Sequence, residues 1–486
     1  MKLMTAKKIL KMLMLCSLVI TFLTITGLSA VPYDSFNYTN RNGYIERVAC
    51  PAPYLPKEIK TFYNLGVSLS SPEDLFISAN GDFYIADSGE NCIYIFSVDW
   101  KLLGKISEFE LDSETSALKA PEGVFVCGDG EIYVADTGNS RVVVFDESYN
   151  PLRQFKSPEI ELLGKEYVYK PAKIAVAENK GLFVVARDQF NGIMQFDGQG
   201  GFLGFLGNNM VSVSAIEKLW RNILTKEQRA QMAQFVPLEF SNISLDKNEF
   251  LYVVTKAASE SVKVKKLSPD GKNIISQAPP VAEITKDAAI TDVCTDENDN
   301  YYYIDSQSGQ IFVVNPDGNL LYAFGGIGGQ VGNFLSPSSI NVREDKLYVT
   351  DKAQGTVTIF TMSDFAKKVI DAGRHYANGE YDKSLELWQD IVNENANFEL
   401  GYIELGKIFY RNEEFEKAID YFKLGNFRGD MYVNGYSAAF KQQRSIFMKE
   451  NLPYFLSGLV MVSVMVFALV MWLKAKRKRK VKRSKT

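Results

Sequence analysis

The chain has 486 residues, 46% of them hydrophobic and 23% charged, a globular composition long enough for two or three domains. Its formal net charge of −4 is unevenly spread: residues 1–30 carry four Lys and no acid, residues 474–486 carry nine Lys or Arg and no acid, and the stretch between them carries −17. So acidic a body speaks against a nucleic acid or other polyanion as partner, because phosphate backbones are bound by basic faces.

The first 30 residues, MKLMTAKKILKMLMLCSLVITFLTITGLSA, have a basic start, an apolar run from Met12 to Leu28, and small residues at Gly27, Ser29 and Ala30. They read as a secretory signal peptide, cleaved after Ser29 or Ala30; the length of the run leaves an uncleaved anchor as the alternative. Beyond them stand four cysteines, Cys50, Cys92, Cys127 and Cys294, with no CxxC spacing. That spread argues against a zinc site. Two disulfides are possible, but a core of this size requires none.

Further along, the chain repeats itself. Residues 130–145, GEIYVADTGNSRVVVF, echo residues 81–96, GDFYIADSGENCIYIF. Six units carry such a strand: FYIAD (83–87), IYVAD (132–136), LFVVA (182–186), LYVVT (251–255), YYYID (301–305) and LYVTD (347–351), their last residues 49, 50, 69, 50 and 46 apart. A preceding strand places an aliphatic residue at one point in each unit: Leu75, Val124, Ile174, Ile243, Val293 and Ile340. A third strand follows, and in most units a fourth, as in LLGKI and PLRQF. Four short strands per unit of this length mark a propeller blade, a sheet that buries its faces only by stacking on its neighbours. Six units predict six blades. The sixth stops after its third strand, TVTIF, while a spare strand, EIKTFYNLG (58–66), precedes the first. The N-terminal strand is therefore expected to complete the last blade and close the ring.

The units resemble NHL repeats, of pattern P-x-G-I-A-V…G-x-I-Y-V-A-D-x-G-N-x-R-I-x-V-F. The second matches best, through Pro121, Gly123, Val124, Val126, Tyr133, Val134, Ala135, Asp136, Gly138, Asn139, Arg141, Val142 and Phe145. FGGIGGQVGNFLSP (324–337) is similar to the Gly-rich linker between such blades, whereas the third and fourth units end in Ala186 and Thr255 in place of Asp. The resemblance covers about residues 58–361. It implies a mainly β, six-bladed NHL-type propeller over residues 31–361 and leaves function open, because propellers carry many unrelated sites.

Two sets of polar residues recur. Asp87, Asp136, Asp305 and Asp351 each end a strand at a Gly- or Ser-bearing turn, where a carboxylate accepts turn amides. Just before the aliphatic markers stand Asp74, Gly123, Lys173, Asn242, Asp292 and Ser339, expected to ring the mouth of the central channel. This ring is either a solvated rim or a site for a small polar ligand, a sugar or a cation, with Asp74, Lys173, Asn242 and Asp292 as candidate ligand-binding residues. The 69-residue spacing leaves an insert, 208–236, between the third and fourth blades. There Ile216, Leu219, Trp220, Ile223 and Leu224 form one apolar helix face. That face either packs on the propeller or docks a partner through Leu219, Trp220 and Ile223.

The single histidine, His375, lies beyond the propeller units. This excludes a His-ligated metal or a Ser-His-Asp triad within them. A lactonase-like site would need oxygen ligands around a hard ion such as Ca²⁺, for which Glu73, Glu122, Asn242 and Asp292 are candidates. No other cofactor is implied.

Over residues 364–451 the period turns helical. Ala372 and Gly406, Tyr381 and Phe415, Ser384 and Ala418, and Trp388 and Phe422 repeat at a spacing of 34. These hairpins resemble tetratricopeptide repeats, which implies peptide or protein binding; a mere spacer is the alternative. Tyr454 to Leu473 is 20 residues without a charge, the length of a membrane-crossing helix. The basic tail, 474–486, then stays in the cytoplasm and the body outside. The expectation is a single-pass membrane protein that binds a protein partner or a small polar or carbohydrate ligand, and no nucleic acid. NHL propellers of this layout resemble surface proteins of low-GC Gram-positive bacteria that accompany carbohydrate uptake systems, which implies a transporter partner or a glycan. A divalent-metal-dependent, lactonase-like hydrolase is the alternative.

Overall fold

The computed structural model of the chain describes residue 31 and residues 33–41, 44–111, 113–164, 166–207, 239–257, 260, 262–275, 279–425 and 430–483. The expected signal peptide and the insert at 208–236, with Leu219, Trp220 and Ile223, lie outside the described residues. The chain divides into two compact units, residues 1–371 and 372–486.

The first unit is a six-bladed propeller. Blade 1 runs from the axis outward as Pro72–Ile77, Phe83–Asp87, Cys92–Phe96 and Leu102–Ile106. Blade 2 is Gly123–Val126, Ile132–Asp136, Arg141–Phe145 and Pro151–Lys156; blade 3 is Pro171–Val176, Leu182–Ala186, Ile193–Phe196 and Phe202–Leu206. Blade 4 has three strands among the described residues, Asn242–Leu245, Leu251–Val254 and Val264–Leu267, and a short helix, α1 (Pro279–Thr285), follows it. Blade 5 is Ile290–Thr295, Tyr301–Asp305, Gln310–Val314 and Leu320–Gly325; blade 6 begins Pro337–Arg343, Lys346–Asp351 and Thr356–Met362.

An N-terminal strand does close the ring, but earlier in the chain than the pattern suggests. Tyr54–Lys60 pairs antiparallel with Thr356–Met362, from Met362↔Tyr54 to Val357↔Lys60. Residues 63–65 instead form a 3-10 turn. Tyr54 is fully buried, its ring stacked on Phe324 at 5.4 Å and its hydroxyl donating to that of Tyr302 at 3.2 Å, so the closing strand also ties blade 6 to blade 5. Two features were not legible in the repeats. Ser35–Arg41 and Tyr44–Ala49 extend blade 5 outward into a six-stranded sheet, and Glu108–Leu111 with Glu114–Ala117 forms a hairpin after blade 1.

Each pair of adjacent blades encloses its own apolar cluster, as stacking requires. Ile93, Ile95, Val134 and Val143 meet between blades 1 and 2, and Tyr133, Val142, Val184 and Met194 between blades 2 and 3. Between blades 6 and 1, Trp100 stacks on Phe83 at 4.0 Å beside Tyr348. The repeated Asp residues staple each second-to-third turn to the link ahead of the same blade. Asp87 accepts the amides of Ser70, Ser71, Gly89 and Glu90; Asp351 accepts those of Leu335, Ser336, Ala353 and Gln354. In blade 4 Thr255 reverses the polarity and donates to the Glu239 carbonyl at 2.8 Å. In blade 5 the turn also needs a glycine: Gly309 has φ +67°, and a Cβ there would lie 2.3 Å from the Gly326 oxygen.

The second unit is helical. Helix α2 (Asp364–Ala377) leads into it, followed by α3 (Tyr381–Glu394), α4 (Glu399–Arg411), α5 (Phe415–Leu424) and the 54-residue α6 (Asp430–Arg483). Buried Ser384, Trp388, Ile391 and Val392 give α3 one buried face at i, i+4, i+7 and i+8, and Phe415, Ala418, Ile419 and Phe422 give α5 one at i, i+3, i+4 and i+7. Small residues mark the crossings. Ser384 donates to the Ala372 carbonyl at 2.8 Å, and a Cβ on Gly406 would lie 2.6 Å from the Phe422 ring. Within α6, Ala439–Lys476 is long and apolar enough to cross a membrane, so the C-terminal helix is a candidate span.

Candidate functional site: the central channel

The innermost strands converge on the axis, and the first amides of such strands lack a partner on the channel side. Side chains from the ring fill that need. Asp292 is the hub: its Oδ1 accepts Asn242 Nδ2 and the Val293 amide, its Oδ2 accepts the Ser339 hydroxyl and the Ile340 amide, all at 2.7 Å. Asp74 accepts the Val124 amide at 3.0 Å, Ser339 Oγ accepts that of Leu75 at 3.2 Å, and Asn242 Oδ1 that of Ile243 at 2.6 Å. Five of the six aliphatic markers thus have their N–H groups capped by ring residues. Lys173 crosses the axis, its Nζ 2.8 Å from Asp74 Oδ1 and donating to the Glu73 carbonyl at 2.8 Å. Gly123 leaves the gap that lets blade 3 approach: a Cβ there would lie 2.5 Å from the Ala172 oxygen.

The four candidate residues Asp74, Lys173, Asn242 and Asp292 are therefore together, in one bonded layer across the channel. Asn242, Asp292, Lys173 and Ser339 are buried. Burial pushes the Asp292 carboxyl up to about 6 despite the neighbouring Lys173 ammonium. Burial works the other way on Lys173, but Asp74, Asp292 and Glu73 outweigh it and raise its pKa.

On one side of this layer the channel widens into a cavity of 620 Å³. The four residues form its floor; Phe76, Phe125 and Val176 line its wall; Asp129, Glu178, Lys180, Asp246, Lys247 and Glu249 stand at its mouth. That mouth lies at the turns between first and second strands. The Phe76 and Phe125 rings are 4.8 Å apart. Lys180 is paired with Asp129 and with Glu131, the latter at 2.9 Å, and Lys247 with Asp299 at 3.2 Å. Acids outnumber cations around this opening. Cys127, also in the lining, is one of four free thiols among the described residues, and burial raises its pKa to about 11.

The other mouth, at the blade links, is built differently. Glu122 pairs with Arg187 at 2.6 Å; Glu73 accepts the hydroxyls of Ser71 and Ser88 and lies 3.5 Å from Lys352 Nζ. These engagements do not fit a divalent cation. Cations sit among Glu73 and Glu122, the Asn242 and Asp292 oxygens are committed within the ring, and among the described residues no group of three or more His, Cys, Asp or Glu is placed to hold a metal. His375 bonds Glu380 in the helical unit. The cations Arg187, Lys256 and Lys352 are what the repeat reading overlooked. Each directly follows the last residue of the repeated second-strand motif, a position open to inspection once the six copies are aligned.

The family model for the NHL repeat matches residues 118–145, the first three strands of blade 2 with their approach. No curated protein matches the chain. Among solved structures the chain is similar to a streptogramin B lyase, at 13% identity over 66% of this chain and 85% of that one, with a TM-score of 0.39. It is also similar to virginiamycin B lyase from Staphylococcus aureus, at 12% over 61% and 98%, TM-score 0.41. A third likeness is the extracellular domain of a hybrid two component system from B. thetaiotaomicron, at 10% over 59% and 33%, TM-score 0.37.

Proposed function

We propose that this chain is a membrane-anchored binding module whose propeller cavity takes a small polar ligand, with carbohydrate as the favoured class. The observation that carries this reading is the 620 Å³ cavity with a polar, cross-bonded floor and an aromatic wall at Phe76 and Phe125. Sugars present both an apolar ring face and a fringe of hydroxyls. Aromatic rings suit the first, and carboxylates such as Asp129 and Glu178 accept from the second. In this reading the body is extracellular and the basic tail cytoplasmic. The helical hairpins act as tetratricopeptide-like repeats that engage a protein partner, such as a component of a carbohydrate uptake system. The small residues at 372 and 406, where neighbouring helices cross, support that assignment.

The test is a thermal-shift panel on the full-length protein in a detergent without a sugar headgroup, with neutral mono- and oligosaccharides, lactones and Ca²⁺. A ligand of the native state raises Tm by mass action. A sugar-dependent rise that Phe76→Ala abolishes supports the reading. A flat sugar series would overturn it and turn attention to the helical unit. Lactone turnover that requires Ca²⁺ would favour the hydrolase alternative.

A further inference from the structure

Above its bonded floor the cavity wall is divided in two. The residue after each aliphatic marker stands one position further along the inner strand, toward the cavity mouth: Phe76, Phe125, Ala175, Ser244, Cys294 and Asn341. Each is paired with the aromatic residue of its second strand, from Phe76↔Tyr84 to Asn341↔Tyr348, so the six form one level. All but Ala175 line the cavity. The inner strands neighbour one another in chain order round the axis, so blade 1 stands across from blade 4 and blade 2 from blade 5. The first three blades contribute two phenyl rings and a methyl group, and the last three a hydroxyl, a thiol and a carboxamide. The Phe76 and Phe125 rings, 4.8 Å apart, make one continuous apolar surface. Across from them, Asn341 Nδ2 donates to the Leu75 carbonyl at 2.5 Å, which leaves Oδ1 as an acceptor. Neither that oxygen nor the Ser244 hydroxyl has a hydrogen-bond partner among the described residues, and both residues are partly exposed.

We infer that this split wall makes the cavity selective for a pyranose with an axial ring hydroxyl, seated with its C–H face on Phe76 and Phe125 and its hydroxyl face toward Ser244 and Asn341. The inference rests on the carbohydrate reading and adds to it the configuration of the sugar. A ring whose hydroxyls are all equatorial, as in a β-glucoside, has two similar apolar faces and suits aromatic surfaces on both sides. One axial hydroxyl makes the faces differ, because it stands on one of them and leaves the C–H groups on the other. A ring of that kind matches a wall that is aromatic on one side and hydrogen-bonding on the other. Ser244 can donate or accept and Asn341 Oδ1 accepts, so the hydroxyl face meets both kinds of group. An all-equatorial ring would instead turn an apolar face to these two groups, strip them of water and return no hydrogen bond, which is unfavourable.

The experiment is calorimetry on the full-length protein, in a neutral detergent without a sugar headgroup. The probes are the methyl β-glycosides of galactose and mannose, each with one axial hydroxyl, that of glucose, with none, and oligosaccharides that end in each of the three. The galactoside or the mannoside is expected to bind about 10-fold more tightly than the glucoside, the difference between a hydrogen bond made and one left unmade. Ser244→Ala should bring the preferred glycoside down toward the glucoside and leave the glucoside affinity unchanged. It should also leave the ligand-free Tm unchanged, since the Ser244 hydroxyl bonds no other described residue. Phe125→Leu should weaken all three alike, because every pyranose loses the same stacking surface. A glucoside bound as tightly as the other two, or a preference that survives both Ser244→Ala and Asn341→Ala, overturns the selectivity while the carbohydrate reading stands. Absence of binding by every sugar, simple or oligomeric, overturns that reading and the selectivity with it.

Discussion

Asp292 of blade 5 accepts the Ser339 hydroxyl of blade 6 at 2.7 Å, and through its other oxygen it holds Asn242 of blade 4. One buried carboxylate thus joins three blades at the axis. Replacing it with Ala would orphan two amides, a hydroxyl and an amide side chain, and leave Lys173 with less opposing charge. Removal of one partner from such a buried network costs about 3–5 kcal/mol. Asp292→Ala is expected to lower the Tm of the propeller transition strongly, followed by circular dichroism.

The same residue gives a pH signature. Its folded pKa, near about 6, lies above the ordinary value of 3.8, so the folded state holds the proton more tightly than the unfolded one. That contribution to stability is complete below the unfolded pKa and is lost as pH rises through the folded one. Asn has no such proton. The Tm difference between wild type and Asp292→Asn should therefore be larger near about pH 4.5 than near about pH 7.5. A difference that is constant or grows with pH would contradict the raised pKa.

Gly123 should not tolerate a methyl group. The Cβ of Gly123→Ala would meet the Ala172 carbonyl oxygen at 2.5 Å and the Lys173 Cα at 3.2 Å, both backbone. Blades 2 and 3 would have to separate, at a cost of roughly 1–3 kcal/mol. Gly128→Ala, with open space around its Cβ, serves as control and should melt like wild type.

Closure rests on Tyr54. Truncation of this fully buried ring to Ala removes its stacking on Phe324 and its bond to Tyr302. Large-to-small changes of this kind cost about 3–5 kcal/mol. Tyr54→Phe, which keeps the ring, should cost about 1 kcal/mol. Limited proteolysis should find the segment before blade 1 cut sooner in Tyr54→Ala than in Tyr54→Phe.

Cys127 reports on the cavity. Cys127 and Cys294 both line the cavity, but Cys127 is partly exposed whereas Cys294, like Cys92, is buried. With its thiol near about 11, little thiolate exists at neutral pH, so alkylation should be slow and accelerate as pH rises. Mass spectrometry should show Cys127 labelled before Cys92 and Cys294, and a cavity ligand should protect it.

Much of this architecture is written in local pattern. Six copies of an aromatic-led strand at nearly constant spacing specify six blades, because each copy carries its own alternation and its own turn residues. The Asp at the end of four copies is a local cap, and its role follows from the turn beside it. The axis residues were legible as a set, since Asp74, Lys173, Asn242, Asp292 and Ser339 share one register. Their bonding was not. Nothing in a blade's own sequence says that Asp292 will bond Ser339, 47 residues on, or that Gly123 must leave room for the Ala172 carbonyl. The closing strand shows the same limit. A strand ahead of blade 1 was evident, but 54–60 rather than 58–66 pairs with the last blade, because burial of Tyr54 between Phe324 and Tyr302 sets the register.

By itself, then, the sequence determined the repeat, the blade number, the helical region that follows and one apolar C-terminal stretch, all properties of short-range periodicity. Only the tertiary structure decided that the polar ring bonds across the channel, that the cavity opens at the turns between first and second strands, and that Arg187 and Lys352 pair with acids of neighbouring blades at the other mouth. Those outcomes depend on distances between blades. The curvature and stacking of six sheets set such distances, and no single repeat encodes them.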